Sequence, residues 1–294
     1  MKNQWCFLVL VCSILLFSLP MHAQKIGTSS SSYYEFVPEN VTFIGVWRAL
    51  PNAKKQIILP PGNDFGKLKR IASSKGYSII GDLDIGFHNN HYSVWEKPSN
   101  KGRRKNTRTS SRSNPRQEDV KEYTWQSLQK RFKYRATNHI KNIQITAKNE
   151  YTLTFGEGSV KQQVIRANSW NQFVSKWKKV RATNMRLRCI AYSRGEFIGL
   201  FDAAKRGTYL YNLIGWKAFT KKWEELGKKN YRLVDIETYK VNGKMHYIGI
   251  WHYGKEGYFL WNVKGYYNFQ KKFDELKKQG LQLVDIEVIM PNWN

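Results

Sequence analysis

One pattern of aromatic and aliphatic residues returns along most of this chain, and it points to a repeat architecture. The copies begin at residues 65, 125, 170, 216 and 266, so the intervals are 60, 45, 46 and 50 residues. The clearest copy comprises Trp216, Phe219, Trp223, Leu226, Tyr231 and Leu233, and the next comprises Tyr266, Phe269, Phe273, Leu276, Leu281 and Leu283. Earlier copies comprise Trp170, Phe173, Trp177, Val180, Met185 and Leu187, then more weakly Trp125, Leu128 and Phe132, and most faintly Phe65, Leu68 and Ile71.

Each copy predicts a helix followed by three strands. The spacing i, i+3, i+7, i+10 places the large residues on one face of a helix of about three turns. An alternating segment at 231–239 predicts the first strand, and an Asn-Gly turn at 242–243 leads into a second strand at 247–251. A third strand is predicted at 258–262. The sequence therefore predicts an α+β fold of about five αβββ units, each 45–50 residues long.

The two ends of the repeat complement each other. The motif Phe-Ile-Gly-Val-Trp at 43–47 and residues 57–59 match second and third strands, but no helix or first strand precedes them. At the other end, residues 269–288 match a helix and a first strand with no second or third strand after them. We therefore predict that strand 281–289 joins 41–60 and closes the units into a propeller-like ring, which leaves no sheet edge exposed. An open solenoid is the alternative.

These motifs resemble a family of bacterial tandem repeats that also occur beside the catalytic domain of fungal polyglycine hydrolases. The resemblance rests on Trp-x-x-Phe at 216–219, Tyr-Arg-Leu at 231–233, the Asn-Gly hairpin and Tyr-Ile-Gly-Ile-Trp at 247–251. It covers most of the chain after residue 23 and is clearest from about 123 onward. In those hydrolases the serine-type, β-lactamase-like chemistry belongs to a separate domain, and five repeat units leave no room for one here. The resemblance therefore implies a structural or binding role.

The first 23 residues have the features of a secretory signal peptide. A basic start is followed by an apolar stretch over 6–19, a break at Pro20 and a small residue, Ala23. An uncleaved anchor is the alternative. We expect a signal peptide at 1–23, an N-terminal segment at 24–40 and a single repeat domain at 41–294, exported to the periplasm, the outer surface or the medium. No later stretch is apolar enough to span a membrane.

The chain is strongly basic, with 49 Lys and Arg against 22 Asp and Glu, a net charge of +27. Such a charge favours anionic partners. Residues 97–121 lack an apolar strand and predict a disordered basic insertion. Its candidate ligand-binding residues are Lys101, Arg103, Arg104, Lys105, Arg108, Arg112 and Arg116. The expected partners are an anionic polysaccharide, lipid headgroups or a cell-wall polymer; nucleic acid is a further candidate without a recognition motif. Charge that serves solubility alone is the alternative.

Four carboxylates are the main candidates for chemistry inside the ring. Asp235 with Glu237, and Asp285 with Glu287, lie two residues apart and so share one strand face. In a closed ring they would line a channel, where they would bind a cation or serve a hydrolase as acid and base. Internal salt bridges with Lys and Arg are the interpretation that we favour. By sequence offset, the corresponding positions in the earlier copies are Gln144 with Thr146 and Cys189 with Ala191, which disfavours a symmetric metal site.

Three other candidate sites are better explained as ordinary structural residues. Ser175 and Lys178 have the Ser-x-x-Lys spacing of a serine acylase, but no supporting motif accompanies them. Cys189, the only cysteine left after signal removal, lacks the context of a nucleophile and is expected to be half-buried. His88 and His91 fall where a hairpin turn is expected, so we predict a turn there and no metal site. No catalytic residue and no cofactor is predicted.

The sequence favours an exported, non-enzymatic repeat scaffold that binds an anionic polymer or envelope component. A secreted hydrolase of peptide or glycan, with a site in the ring centre, is the second hypothesis. A protein-interaction module of an envelope complex is the third. Because fold alone does not fix function, these hypotheses stay open at this point.

Overall fold

The computed structural model describes fifteen strands and four helices. The described residues are 41–51, 55–59, 70, 72, 74–75, 78–84, 91–97, 119–122, 124–134, 139–145, 150–156, 160–204 and 207–291. The strands are β1 (Thr42–Arg48), β2 (Lys55–Leu59), β3 (Ser78–Asp84), β4 (His91–Lys97), β5 (Asp119–Glu122), β6 (His139–Ile145), β7 (Tyr151–Gly156), β8 (Gln162–Ala167), β9 (Met185–Ser193), β10 (Glu196–Ala203), β11 (Thr208–Ile214), β12 (Tyr231–Val241), β13 (Lys244–Tyr253), β14 (Tyr258–Lys264) and β15 (Gln282–Ile289). The helices are α1 (Trp125–Tyr134), α2 (Trp170–Arg181), α3 (Trp216–Lys228) and α4 (Tyr266–Lys278).

Several predicted features lie outside the described residues. They are the signal peptide, the segment 24–40, the faintest helix copy at Phe65, Leu68 and Ile71, and the seven basic residues of the insertion. The described strand β5 takes up the last three residues of the predicted insertion, 119–121.

The strands form five three-stranded antiparallel sheets with one common order. The orders are β2-β4-β3, β5-β7-β6, β8-β10-β9, β11-β13-β12 and β14-β1-β15. In the second, third and fourth sheets the chain runs through an edge strand, a helix, the other edge strand and then the middle strand. The mainly β, α+β class is confirmed. The predicted order of one helix followed by three strands recurs after α1, α2 and α3, but the third strand of each set joins the next sheet; residues 258–262, for example, pair with β1 and not with β13.

One sheet is built from both ends of the described chain. β1 lies between β14 and β15 and is antiparallel to both. In the register with β15, Thr42 pairs with Ile289 and Arg48 with Gln282. The predicted pairing of the C-terminal strand with the first strand is therefore confirmed. Residues 57–59, predicted for the same unit, belong to β2 and pair with β4 instead.

The predicted hairpin and helix ends are present where the structure describes them. β12 and β13 pair antiparallel around Asn242 and Gly243, whose φ angles of 50° and 73° suit the tight hairpin turn. Asn230 follows α3 and Gly280 follows α4, with φ angles of 62° and 80°. These left-handed residues end the helices and turn the chain into the next strand.

A glycine explains the recurring motif of the middle strands. Gly45, Gly199 and Gly249 occupy the same register position in β1, β10 and β13. A Cβ at Gly249 would collide with the ring of Trp251, and one at Gly45 would collide with Trp47. The missing side chain lets each tryptophan fold over its own strand and pack beneath the helix. Both tryptophans are fully buried.

Each sheet also has one edge strand with a β-bulge. These bulged strands are β3, β6, β9, β12 and β15, and the bulge leaves one residue out of the pairing. They are neighbours in space: β6 contacts β9, β9 contacts β12 and β12 contacts β15, while β3 contacts both β15 and β6. The two strands that carry the predicted carboxylates therefore lie side by side.

Candidate functional site

The four predicted carboxylates begin directly after the bulges of two neighbouring strands. Asp235 pairs with Ile250 after the bulge of β12, and Asp285 pairs with Val46 after the bulge of β15. Glu237 and Glu287 follow two residues later and lie on the same strand face. The structure thus brings together all four residues that the sequence singled out.

The register identifies the corresponding residues in the other bulged strands. Cys189 has the position of Asp235 in β9, as predicted. In β6 the position belongs to Asn142, so the predicted match to Gln144 and Thr146 is wrong by two residues. The sequence offset failed because the stretch from the first helix residue to the bulge is shorter in this copy than in the others. No common ligand type therefore runs around the bulged strands.

The two aspartates bind backbone N–H groups of their own and the neighbouring strand. Asp285 Oδ2 accepts a hydrogen bond from the N–H of Ile236 at 2.6 Å, and its Oδ1 accepts one from Ile286 at 2.9 Å. Asp235 Oδ2 accepts from the N–H of Ile190 at 3.0 Å. Each aspartate therefore joins its strand to the preceding bulged strand.

The two glutamates make similar bonds to the neighbouring strand two residues further along. Glu287 accepts from the hydroxyl of Thr238 at 3.1 Å and from its N–H, and Glu237 accepts from the N–H of Tyr192. Within the described part of the chain, no Lys or Arg nitrogen lies within 4.0 Å of the four carboxylates. The favoured interpretation as salt bridges is therefore replaced by one in which the carboxylates fasten β15 to β12 and β12 to β9 through the backbone.

Burial makes these carboxyl groups weak acids. It raises the pKa of Asp285 to about 7 against the opposing effect of its two N–H donors. Burial, followed by repulsion from neighbouring carboxylates, also raises the pKa of Asp235, Glu237 and Glu287. Asp235 is buried and the other three residues are half-buried, and loss of a proton from this cluster is less favourable than from exposed carboxyl groups. Among the described residues, no group of three or more His, Cys, Asp or Glu is arranged to hold a metal ion.

Cys189 continues this row as a neutral acceptor. It is buried, and it accepts a hydrogen bond from the N–H of Ile143 in β6. Burial, followed by the charge of Asp235, raises the pKa of the thiol well above its usual value. A nucleophilic cysteine needs the opposite shift. Cys189 therefore has the environment of a structural thiol.

A polar network that the sequence analysis missed lies near the beginning of the bulged strands. Asp202 of β10 accepts hydrogen bonds from Arg188 Nη1 and Gln162 Nε2, both at 2.7 Å. The ring of His139 lies 3.1 Å from Arg188 Nη1 and 3.5 Å from Asp202. Burial opposes the effect, but Arg188 and Gln162 hold the pKa of Asp202 below its usual value. The available sequence signal was the run Arg-Leu-Arg at 186–188, which puts two cations on a strand with a buried leucine between them.

Side-chain amides also connect neighbouring sheets at the bulges. Gln162 of β8 donates to the carbonyl of Ile140 and accepts from its N–H, each at 2.9 Å. Gln56 of β2 makes the same pair of bonds to Leu283 of β15, at 2.8 and 2.9 Å. A Gln amide has one donor side and one acceptor side, so it satisfies both backbone groups of one residue. The second pair links the first sheet of the chain to the sheet that contains its last strand.

The outer faces of the helices differ in charge. α1 and α2 contain no Asp or Glu, and α2 exposes four cations, which are Lys176, Lys178, Lys179 and Arg181. Its buried side is formed by Phe173, Trp177 and Val180. Ser175 and Lys178, the predicted Ser-x-x-Lys pair, are both exposed on this helix. We call the four cations of α2 the α2 basic face.

The helices α3 and α4 carry their own counter-charges. Glu225 of α3 pairs with Lys222 and with Lys229, which follows the helix, and Glu275 of α4 pairs with Lys272. These pairs are spaced three or four residues apart, as expected on one helix side. A polyanion would therefore meet less competition at the α2 basic face. No helix in the described residues has the length and apolar character needed to cross a membrane.

Comparison with known proteins gives one family match. The family model described as "Polyglycine hydrolase-like, structural repeat" matches residues 214–254 and 267–289. The first match covers the end of β11, α3, β12 and β13, and the second covers most of α4 and all of β15. The predicted resemblance to these structural repeats is therefore confirmed. No curated protein and no solved structure matches the chain.

Proposed function

We propose that this protein is an exported, non-enzymatic scaffold that binds an anionic polymer or envelope component through cationic helix and insertion surfaces. The α2 basic face is the observation that carries the proposal, because four exposed cations stand on a helix without an acidic residue. Cations that neutralise a polyanion release its counterions, which favours binding at low salt. The excess of 49 Lys and Arg over 22 Asp and Glu adds a long-range attraction.

The basic insertion is a second part of the proposed surface. Its seven cations lie between β4 and β5, outside the described residues, so this part rests on the sequence. The α2 basic face belongs to a framework in which the bulged strands are fastened to one another. The aspartates of this framework favour a scaffold, because both oxygens of Asp285 and one oxygen of Asp235 already accept hydrogen bonds from backbone N–H groups.

We also propose that the five sheets close into a propeller-like ring. Three observations support this architecture: the common strand order, the contacts of β3 with both β15 and β6, and the amide bonds from Gln56 to Leu283. A ring would give the helices outward positions around a braced centre. In a closed ring every sheet would also have a neighbouring sheet on both sides, so no sheet edge would be exposed at the ends of the array.

The test is retention on immobilised anionic polymers across a salt series. The panel contains heparin, lipopolysaccharide, peptidoglycan with its acidic polymers, and duplex DNA. We expect tight, salt-sensitive retention by at least one of them. The triple substitution Lys176→Gln, Lys178→Gln and Lys179→Gln should lower the slope of log affinity against log salt by about 2 to 3, since each lost contact removes about one unit. A variant without residues 98–120 measures how much of the retention on each polymer depends on the insertion.

The matched control removes three exposed lysines from the charge-balanced helix α3. It carries Lys217→Gln, Lys221→Gln and Lys228→Gln, so its net charge equals that of the α2 variant. A smaller change in slope for this control is expected. Equal slopes would show that the binding depends on net charge and not on the α2 basic face. Absence of retention on every polymer would overturn the proposed function.

A further inference from the structure

The side chain of Arg186 carries a donor without an acceptor. Arg186 is half-buried on β9 and pairs in register with Asp202 of β10. Its Nε is shielded from solvent and has no hydrogen-bond partner among the described residues. The carboxylate of Asp202 is already occupied by Arg188 and by Gln162. Because a buried charged donor without an acceptor is costly, this position needs an explanation.

Two other arginines act electrostatically on Arg186. Burial lowers the pKa of Arg186, and the charges of Arg188 and Arg48 lower it further although Asp202 opposes them. The same arginines act on His252 of β13. The Nε2–H of His252 donates to the carbonyl of Leu187, the residue after Arg186, at 2.7 Å. Burial and then Arg186 lower the pKa of His252 to about 3, so this ring is neutral.

The nearby acids are committed to other cations. Glu256 accepts from Arg48 Nε at 2.6 Å, and its own carbonyl accepts from Arg232 Nε at 2.7 Å. The guanidinium of Arg232 also donates to the carbonyl of Gly227 at 3.0 Å and lies 4.1 Å from the ring of Tyr258. Among the described residues neither Arg186 nor Arg232 has a carboxylate partner, but Arg232 donates to backbone carbonyls, whereas the shielded Nε of Arg186 donates to no acceptor.

We propose that Arg186, with Arg48 and Arg188 beside it, forms a binding site for a single anionic group, a phosphate or a carboxylate. A guanidinium presents donors in a planar fork that matches both groups. Burial strengthens the attraction, because screening by water is reduced. The residues differ from the α2 basic face, so the site stands apart from the proposed polymer surface and goes beyond it. Either a free ion or such a group carried on a polymer fits this chemistry.

The test measures binding of inorganic phosphate and of acetate to the purified full chain by calorimetry and thermal melting, in a chloride buffer at pH 7. We expect saturable binding of one ion per chain by at least one of the two, together with a rise in Tm. Arg186→Gln should weaken this binding about tenfold or more, as loss of a charge-assisted bond does. Without added anion, the variant should melt no lower than the wild type, because it removes an unpaired buried charge.

Arg194→Gln is the matched control, since Arg194 is an exposed arginine in the turn between β9 and β10. It should bind phosphate or acetate as the wild type does. The two ions identify the preferred group, and competition by the retained polymer shows whether a polymer carries it. The α2 variant should bind phosphate or acetate as the wild type does, although its retention on the polymer falls. If the wild type is not retained on any polymer, the ion-binding result at Arg186 still stands as a separate test. Unchanged binding in Arg186→Gln, no saturable binding of either ion, or a much lower Tm of the anion-free variant would each overturn the site.

Discussion

Two sheets of this molecule have the same design but different chain connections. The sheet β11-β13-β12 is formed by consecutive residues between 208 and 253, and we call it the contiguous sheet. The sheet β14-β1-β15 takes its middle strand from the other end of the described chain, and we call it the closing sheet. Both have an Ile-Gly motif in the middle strand, a tryptophan over the glycine and a phenylalanine of the helix against that tryptophan. The ring centroids are 5.5 Å apart for Trp251 and Phe219, and 5.8 Å for Trp47 and Phe269.

The comparison shows that the packing motif, and not the order of the chain, selects the strand partner. The family match differs between the two sheets in the same way. In the contiguous sheet it covers both strands of the hairpin, within 214–254, whereas in the second copy it ends at 289, after the first of these strands. The strand that would complete this second copy is β1, which lies more than 200 residues earlier and is held by the same glycine and tryptophan contacts. The closing sheet therefore depends on a contact of very long sequence separation.

The largest expected effect is loss of the closing sheet when β1 is removed. β1 buries four large side chains completely or nearly so: Phe43, Ile44, Val46 and Trp47. At about 2 kcal/mol for each, their removal costs on the order of 8 kcal/mol, which is comparable to the whole stability of many domains. A chain that begins at residue 50 should lose its cooperative thermal transition in circular dichroism.

A peptide with the sequence of residues 41–50 should restore the transition when it is added to the shortened chain. The control chain begins at residue 41 and retains β1. The control peptide carries Gly45→Val, which cannot accommodate Trp47. A shortened chain that unfolds with the same midpoint as the control chain would show that the closing sheet contributes little.

The next largest effect concerns the glycines beneath the two tryptophans. Gly45→Val in the closing sheet and Gly249→Val in the contiguous sheet both insert a side chain where the indole ring lies. Each should lower the free energy of unfolding by about 3 kcal/mol, the upper part of the range for overpacked cores. Urea denaturation of both variants measures the effect.

Equal losses would show that the two sheets are equivalent despite their connections. Gly257→Ala is the control, because an added Cβ there would lie at an ordinary 3.5 Å from Ala49. A much smaller loss for Gly45→Val would mean that the closing sheet is already partly open in the native state.

The sequence predicted the elements of both sheets for a simple physical reason. Helix spacing, the Asn-Gly turn and the glycine motif are local signals, and each is read within a few residues. The pairing of β15 with β1 was also predictable, because the two chain ends lacked complementary parts of one unit. The sheet to which β14 belongs was not predictable in this way. A strand that follows a hairpin can add to that hairpin or to the next sheet, and its own residues fit both.

The candidate site was less predictable than the fold. The carboxylates of β12 and β15 were identified from their spacing, but their partners are backbone N–H groups of neighbouring strands, which carry no sequence signal. Asn142 was missed because a shorter connection shifted the repeat by two residues. The environment of Arg186 depends on which arginines are already paired, and this is decided by contacts between sheets.

The smallest expected effect separates the aspartates of the two sheets. Asp285→Ala removes the acceptor of two N–H groups and should cost about 2 kcal/mol, whereas Asp235→Ala leaves the one N–H of Ile190 without its acceptor and should cost about 1 kcal/mol. Asp285→Asn should be nearly neutral, because Asn142 already accepts from Ile143 at 2.9 Å in the corresponding position of β6. Urea denaturation at pH 7 compares the three variants.

The pH dependence of the same variants gives the sign of the charge effect. The pKa of Asp285 is raised from its ordinary value near 4 to about 7, so its contribution to stability is complete below about pH 4 and is lost as the pH rises through about 7. The buried His252, with its pKa lowered to about 3, acts in the opposite sense below about pH 6.5 and affects wild type and variant alike. We therefore expect the stability of Asp285→Asn relative to wild type to increase between pH 5 and pH 8. A constant difference across this range would show that Asp285 is ionised throughout, and that the closing sheet does not raise its pKa.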